Sequence, residues 1–88
     1  MALGEYDPTV LKRRLARCNG EAVSIASKDI AREMFDLPRD KSPVPRYALR
    51  RARDEMTRLW EVPPAGFVIK EDTGNDYRLI VKRVHHDK

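Results

Sequence analysis

The chain has 88 residues, a formal net charge of +4, and 41% hydrophobic against 36% charged residues. A chain of this size buries only about 60–70% of the surface its unfolded form exposes. One domain over 1–88 with a modest core is therefore expected, ordered over about 7–84. No apolar run approaches the ~18 residues of a membrane span, and the start, Met1 to Glu5, lacks the basic-then-apolar layout of a signal peptide. An intracellular setting (cytoplasm, nucleoid or nucleus) with no membrane partner is the resulting expectation. The single cysteine, Cys18, forms no internal disulfide, and no CxxC or Cys/His cluster offers a zinc site.

In chain order, Asp7-Pro8 reads as a helix opening, with Asp as N-cap and Pro at the first helical position, where its missing N–H costs nothing. Leu11, Leu15 and Cys18 follow at helical spacing, and Asn19-Gly20 supplies a left-handed stop, which predicts helix one over about Pro8 to Cys18. The stretch Glu21 to Ala26, apolar at Val23 and Ile25, reads as a brief strand. Ser27 then caps a second helix with Asp29 in its first turn and Ile30, Ala31, Met34 and Phe35 on one apolar face. Pro38 biases Leu37 away from helical angles and predicts an end near Asp36.

Ser42-Pro43 repeats the cap-plus-proline opening, with Pro45 still tolerable in a first turn, and predicts a third helix to Trp60 or Glu61 before Pro63-Pro64. Its projection places Leu49, Ala52, Met56, Leu59 and Trp60 on a core stripe, with Ala48 and Pro45 at the margins. Phe67 to Lys70 and Tyr77 to Val84 are β-rich runs joined by Glu71 to Asp76, whose Gly74-Asn75 suits a hairpin loop.

The order helix, short strand, helix, long basic helix, strand, loop, strand resembles the winged helix-turn-helix superfamily over roughly Asp7 to Val84. The resemblance implies an α+β winged helix: a three-helix core, a C-terminal β-hairpin wing, and the short strand after helix one completing a three-stranded sheet. It further implies that the third helix enters the DNA major groove while the hairpin loop forms the wing.

Charge distribution carries the same suggestion. From Arg39 to Arg58 there are seven basic residues (39, 41, 46, 50, 51, 53 and 58) and three acidic ones (40, 54 and 55), a difference equal to the charge of the whole chain. The outward side of the third helix carries Arg46, Tyr47, Arg50 and Arg51 in its first turns, before Asp54 and Glu55. Arginine suits both tasks there, because its planar fork contacts guanine bidentately and pairs with phosphate. Arg46 and Arg50 are the candidates for base contact, Tyr47 for stacking or phosphate donation, and Arg51 for the backbone. Arg39, Lys41 and the Ser42 hydroxyl precede a helix N-terminus that favours phosphate, while Lys70 and Arg78 on the hairpin stems are candidates for side-on phosphate contacts. Helix one adds Lys12, Arg13, Arg14 and Arg17.

Other readings stay open. Arg50 with Asp54, Arg51 with Glu55 and Asp54 with Arg58 are i,i+4 pairs, each stabilising an exposed helix by about 0.2–0.5 kcal/mol without any partner. Three carboxylates at the wing tip, Glu71, Asp72 and Asp76, argue against insertion into a minor groove and leave a protein partner as an alternative. RNA binding and homodimerisation are further alternatives. His85-His86 and Asp87 have no paired ligand spacing, Cys18 belongs to an apolar stripe, and no GxxxxGK[ST] or GxGxxG loop is present. No catalytic residue, metal or cofactor is therefore assigned. The sequence reads as a binding protein that is not an enzyme, a transcriptional regulator holding duplex DNA in preference to RNA.

Overall fold

The computed structural model describes residues 6–38, 43–74 and 76–84. Its first helix, α1, spans Val10–Ala16 and buries Val10, Leu11 and Leu15. It starts later than Asp7-Pro8 predicts. Asp7 Oδ1 accepts from both the Thr9 amide (2.9 Å) and the Thr9 hydroxyl (2.6 Å), and the carboxylate pairs with Arg13. That local turn satisfies the early donors, so residues 8–9 form a turn ahead of the helix. Cys18 is buried as expected, and Gly20 sits at φ +107°, a left-handed angle that suits a residue without Cβ.

Strand β1, Val23–Ala26, passes directly into α2, Ser27–Met34. Ser27 does not cap this helix. Ala26 occupies the N-cap position in extended conformation, while Ser27 is fully buried and donates its hydroxyl to Asp76 Oδ1 at 3.2 Å. Its amide bonds the Tyr77 carbonyl at 2.9 Å. A side chain enclosed beneath the hairpin takes the acceptor on that side instead of folding back on its own helix. At the other end, Asp36 adopts φ 54°, the Leu37 amide returns to the Arg32 carbonyl (2.8 Å), and the Asp36 amide returns to Glu33 (3.4 Å). These are the two bonds of a Schellman stop, so α2 ends before Pro38 can act on it.

Helix α3 spans Arg46–Glu61. The expected opening at Ser42-Pro43 is corrected, because Val44 precedes a proline whose ring disfavours helical angles there. Pro45, at φ −58° and ψ 147°, is instead the N-cap, and its carbonyl accepts from the Ala48 and Leu49 amides at 3.1 Å each. Arg39, Lys41 and Ser42 lie outside the described residues. The buried stripe is also rotated from the expected one. Ala48, Ala52 and Met56 are fully buried, Leu49 and Leu59 are half-buried, and Trp60 is 38% exposed. Small side chains let α3 lie close against the buried Ile30, Ala31 and Met34 of α2, leaving the bulky residues at its periphery.

Strands β2, Phe67–Asp72, and β3, Arg78–Arg83, complete an antiparallel sheet in the order β1-β3-β2. The registers Ile25↔Leu79 and Ile69↔Val81 align one inner row that joins the helical core. Because strand side chains alternate, Ser24, Ile80, Lys70, Lys82 and Val68 form the outer face. The result is a small α+β fold of three helices and a three-stranded antiparallel sheet, compatible with a winged-helix-like arrangement. Among the described residues, no helix is long and apolar enough to cross a membrane.

Candidate nucleic-acid interface

Because Ala48, Ala52 and Met56 fix which side of α3 meets the core, the opposite side presents Arg46, Tyr47, Arg50, Arg51 and Asp54 together. These five residues line one open groove of about 500 Å³. Tyr47 is 56% exposed, yet its ring meets Phe35 edge-on, with centroids 5.4 Å apart and planes at 83°. Phe35 in turn packs against Tyr6 at 5.2 Å. The aromatic row anchors the first turns of α3 to the end of α2 and to the segment that precedes α1. Edge-to-face pairs of this kind contribute about 0.5–1.5 kcal/mol beyond area burial.

Arg51 is exposed but tied to this row. Its guanidinium lies 5.1 Å from the Tyr6 ring centroid, and its Nε donates to the Tyr6 hydroxyl (3.1 Å) and to Glu55 Oε2 (3.2 Å). The Tyr6 hydroxyl completes the set by donating to the same Glu55 oxygen. Burial, then the hydrogen bond to Glu55, push the Tyr6 phenol above its ordinary range, so it stays a neutral donor. Of the three i,i+4 pairs read from the sequence, Arg51–Glu55 forms. Arg46, Arg50, Asp54 and Arg58 make no ion pair among the described residues. Two guanidinium groups with no ion pair among the described residues thus flank Tyr47, one helical turn apart.

The acidic wing has a largely internal explanation. Glu71 accepts the Tyr77 hydroxyl (2.9 Å), Asp76 accepts Ser27, and Asp72 Oδ1 accepts the Gly74 amide (3.3 Å). Tyr77 also approaches the Thr57 hydroxyl at 3.5 Å, which docks the hairpin on α3. Its phenol, like that of Tyr6, is raised, chiefly by burial. Beside this contact Arg53, Thr57, Thr73, Gly74 and Tyr77 line a smaller hollow of about 290 Å³ between α3 and the wing.

The structure does not bring every sequence candidate to one place. Lys70 and Arg78 project from the outer face of the sheet, where Lys70 opposes Ile80 and the Arg78 guanidinium donates to Ser24 Oγ at 3.2 Å. They do not line the α3 groove. On α1, Arg13 pairs with Asp7 and Arg14 with Glu33 (2.8 Å), which leaves Lys12 and Arg17 without an ion pair among the described residues. Tyr6, Phe35 and Glu55 were not read from sequence as parts of the site. No spacing signal within one element could find them, because Tyr6 and Glu55 are 49 positions apart.

The chain matches no family model, no curated protein and no solved structure.

Proposed function

We propose that the protein is a winged-helix DNA-binding protein, a transcriptional regulator that lays the first turns of α3 in the major groove of duplex DNA. The carrying observation is the pair Arg46 and Arg50: both are exposed, neither has a carboxylate partner among the described residues, and both line the groove around Tyr47. Cations that form no ion pair among the described residues, on a helix held rigid from behind, suit readout of an anionic, hydrogen-bonding surface. Arg50 and Arg46 supply base-edge contacts in this reading, and Tyr47 reaches phosphate. Arg51, already oriented by Tyr6 and Glu55, presents its remaining N–H groups to the backbone. The mechanism is binding alone.

The test is a titration of duplex DNA and of folded RNA over a range of salt. Phosphate contacts make log affinity fall linearly with log salt, and duplex DNA is expected to compete better than folded RNA. Replacing Arg46 and Arg50 together by alanine is expected to weaken DNA binding with the melting transition intact. Unchanged affinity removes α3 from the interface. A preference for RNA transfers the same surface to an RNA partner.

A further inference from the structure

The outer face of the sheet departs from the pattern its exposure demands. An antiparallel sheet with one solvated side normally alternates apolar inward with polar outward. Here Val68 and Ile80 occupy outward positions, and Val68 is 48% exposed. With Gly20, Ala22 and Val84 they floor an open concavity of about 530 Å³. Its other lining residues are Lys70, Lys82 and Arg83. No carboxylate lines it, and none pairs with Lys70 or Lys82 among the described residues. Arg83 borders the concavity, but its register partner is Phe67 and its guanidinium lies 5.3 Å from that ring, on the opposite side of the sheet, so Lys70 and Lys82 are the cations of this face.

The backbone at this end is open as well. Pairing of β1 with β3 begins at Val23↔Val81, whereas β2 continues along β3 to Val68↔Lys82 and Phe67↔Arg83. Strand β3 therefore runs two residues past its β1 ladder, with a strand partner, among the described residues, on the β2 side alone. An unpaired stretch of strand edge accepts an extended segment.

We infer that this concavity docks a protein partner through an extended acidic segment that alternates carboxylate with aliphatic side chains. Its carboxylates meet Lys70 and Lys82, and its aliphatic side chains cover Val68, Ile80 and Val84. A second copy of this chain fits poorly, because two such faces would set lysines against lysines. A nucleic acid would satisfy the cations but leave the aliphatic floor facing sugars, with no aromatic ring in the lining to stack a base. The inference concerns a surface separate from the α3 groove and does not rest on the DNA-binding reading.

The experiment uses the full chain, isotopically labelled for amide shift mapping, and three probes: a short peptide alternating glutamate and leucine, its lysine-for-glutamate counterpart, and duplex DNA. The acidic peptide is expected to saturate, with shifts clustered at Val68, Ile80, Lys82 and Val84, and the lysine peptide to give none. Exchanging Lys70→Glu and Lys82→Glu together should weaken the acidic peptide by about tenfold or more while the circular dichroism spectrum is kept. Val68→Asp provides an independent disruption of the floor. Absence of saturable binding by the acidic peptide at low salt overturns the inference. So does binding that shifts Arg46, Tyr47 and Arg50 instead, or duplex DNA perturbing the sheet face where the peptide does not. Because the α3 variants Arg46→Ala and Arg50→Ala should leave peptide binding unchanged, failure here and failure of DNA binding are read separately.

Discussion

Two basic surfaces of this protein, the outward face of α3 and the outer face of the sheet, share charge and differ in what lies beneath it. On α3 the cations flank an exposed tyrosine backed by a row of aromatic rings. On the sheet they surround valine and isoleucine. Sign of charge alone would assign both to the same polyanion. The ground between the charges separates them: arginine and tyrosine on a rigid helix suit hydrogen-bonded readout, whereas lysine around an aliphatic floor suits a ligand that is itself amphipathic.

The largest expected effect tests whether both surfaces hang on one core. Met56 is fully buried between them, and Met56→Ala should cost about 2–5 kcal/mol in denaturant unfolding. It should erode both binding activities together. Loss of one with the other intact would show two independent folding units.

The next effect separates the surfaces. Arg46→Ala and Arg50→Ala should each cost about 1–3 kcal/mol of DNA affinity if they reach base edges, read by anisotropy titration at fixed salt. The neutral exchange Lys70→Gln with Lys82→Gln should shift DNA affinity less, since those side chains leave from the other face of the sheet. Equal losses would merge the two surfaces into one footprint.

Ser27→Ala examines how the wing is held. Its buried hydroxyl donates to Asp76, and a hydrogen bond to a charged group contributes about 1.5–3 kcal/mol. The variant should unfold at lower denaturant and loosen the 73–77 segment in hydrogen exchange, with the α3 aromatic row undisturbed. Protection lost equally at Tyr47 would mean that wing and α3 open as one unit.

The smallest effect concerns pH. The phenols of Tyr6 and Tyr77 are both raised, chiefly by burial. Folding thus favours their protonated form, so this stabilisation is complete below the ordinary phenol value of about 10 and is lost as pH rises through the higher folded values. Tyr6→Phe should flatten that alkaline limb and lower stability near neutrality by about 1 kcal/mol or less. A steeper limb in the variant would reverse the assignment.

Much of the architecture was legible from the sequence because short-range rules govern it. Helical spacing of Leu11, Leu15 and Cys18, the glycine stop at Gly20, and β-rich runs on either side of Gly74 each act within a few residues. The element order they predict is the one observed. Boundaries fared less well where two local signals competed. Ser42-Pro43 and Ser27 both read as caps, yet Pro45 sets the start of α3 and Asp76 claims the Ser27 hydroxyl. The positive φ of Asp36 carried no glycine to announce it.

The sequence by itself determined that a basic face precedes acid along one helix, because charge order within a helix is a property of neighbours at three and four positions. Tertiary structure decided which of those cations remain unpaired. Arg51 is taken by Tyr6 and Glu55, while Arg46 and Arg50 form no ion pair among the described residues, and the packing of Ala48 and Ala52 on α2 turns them to solvent. Tertiary structure alone also assembled the aliphatic floor on the sheet. Ala22, Val68, and the pair Ile80 and Val84 come from three separate stretches of chain, and only strand pairing brings them to one face.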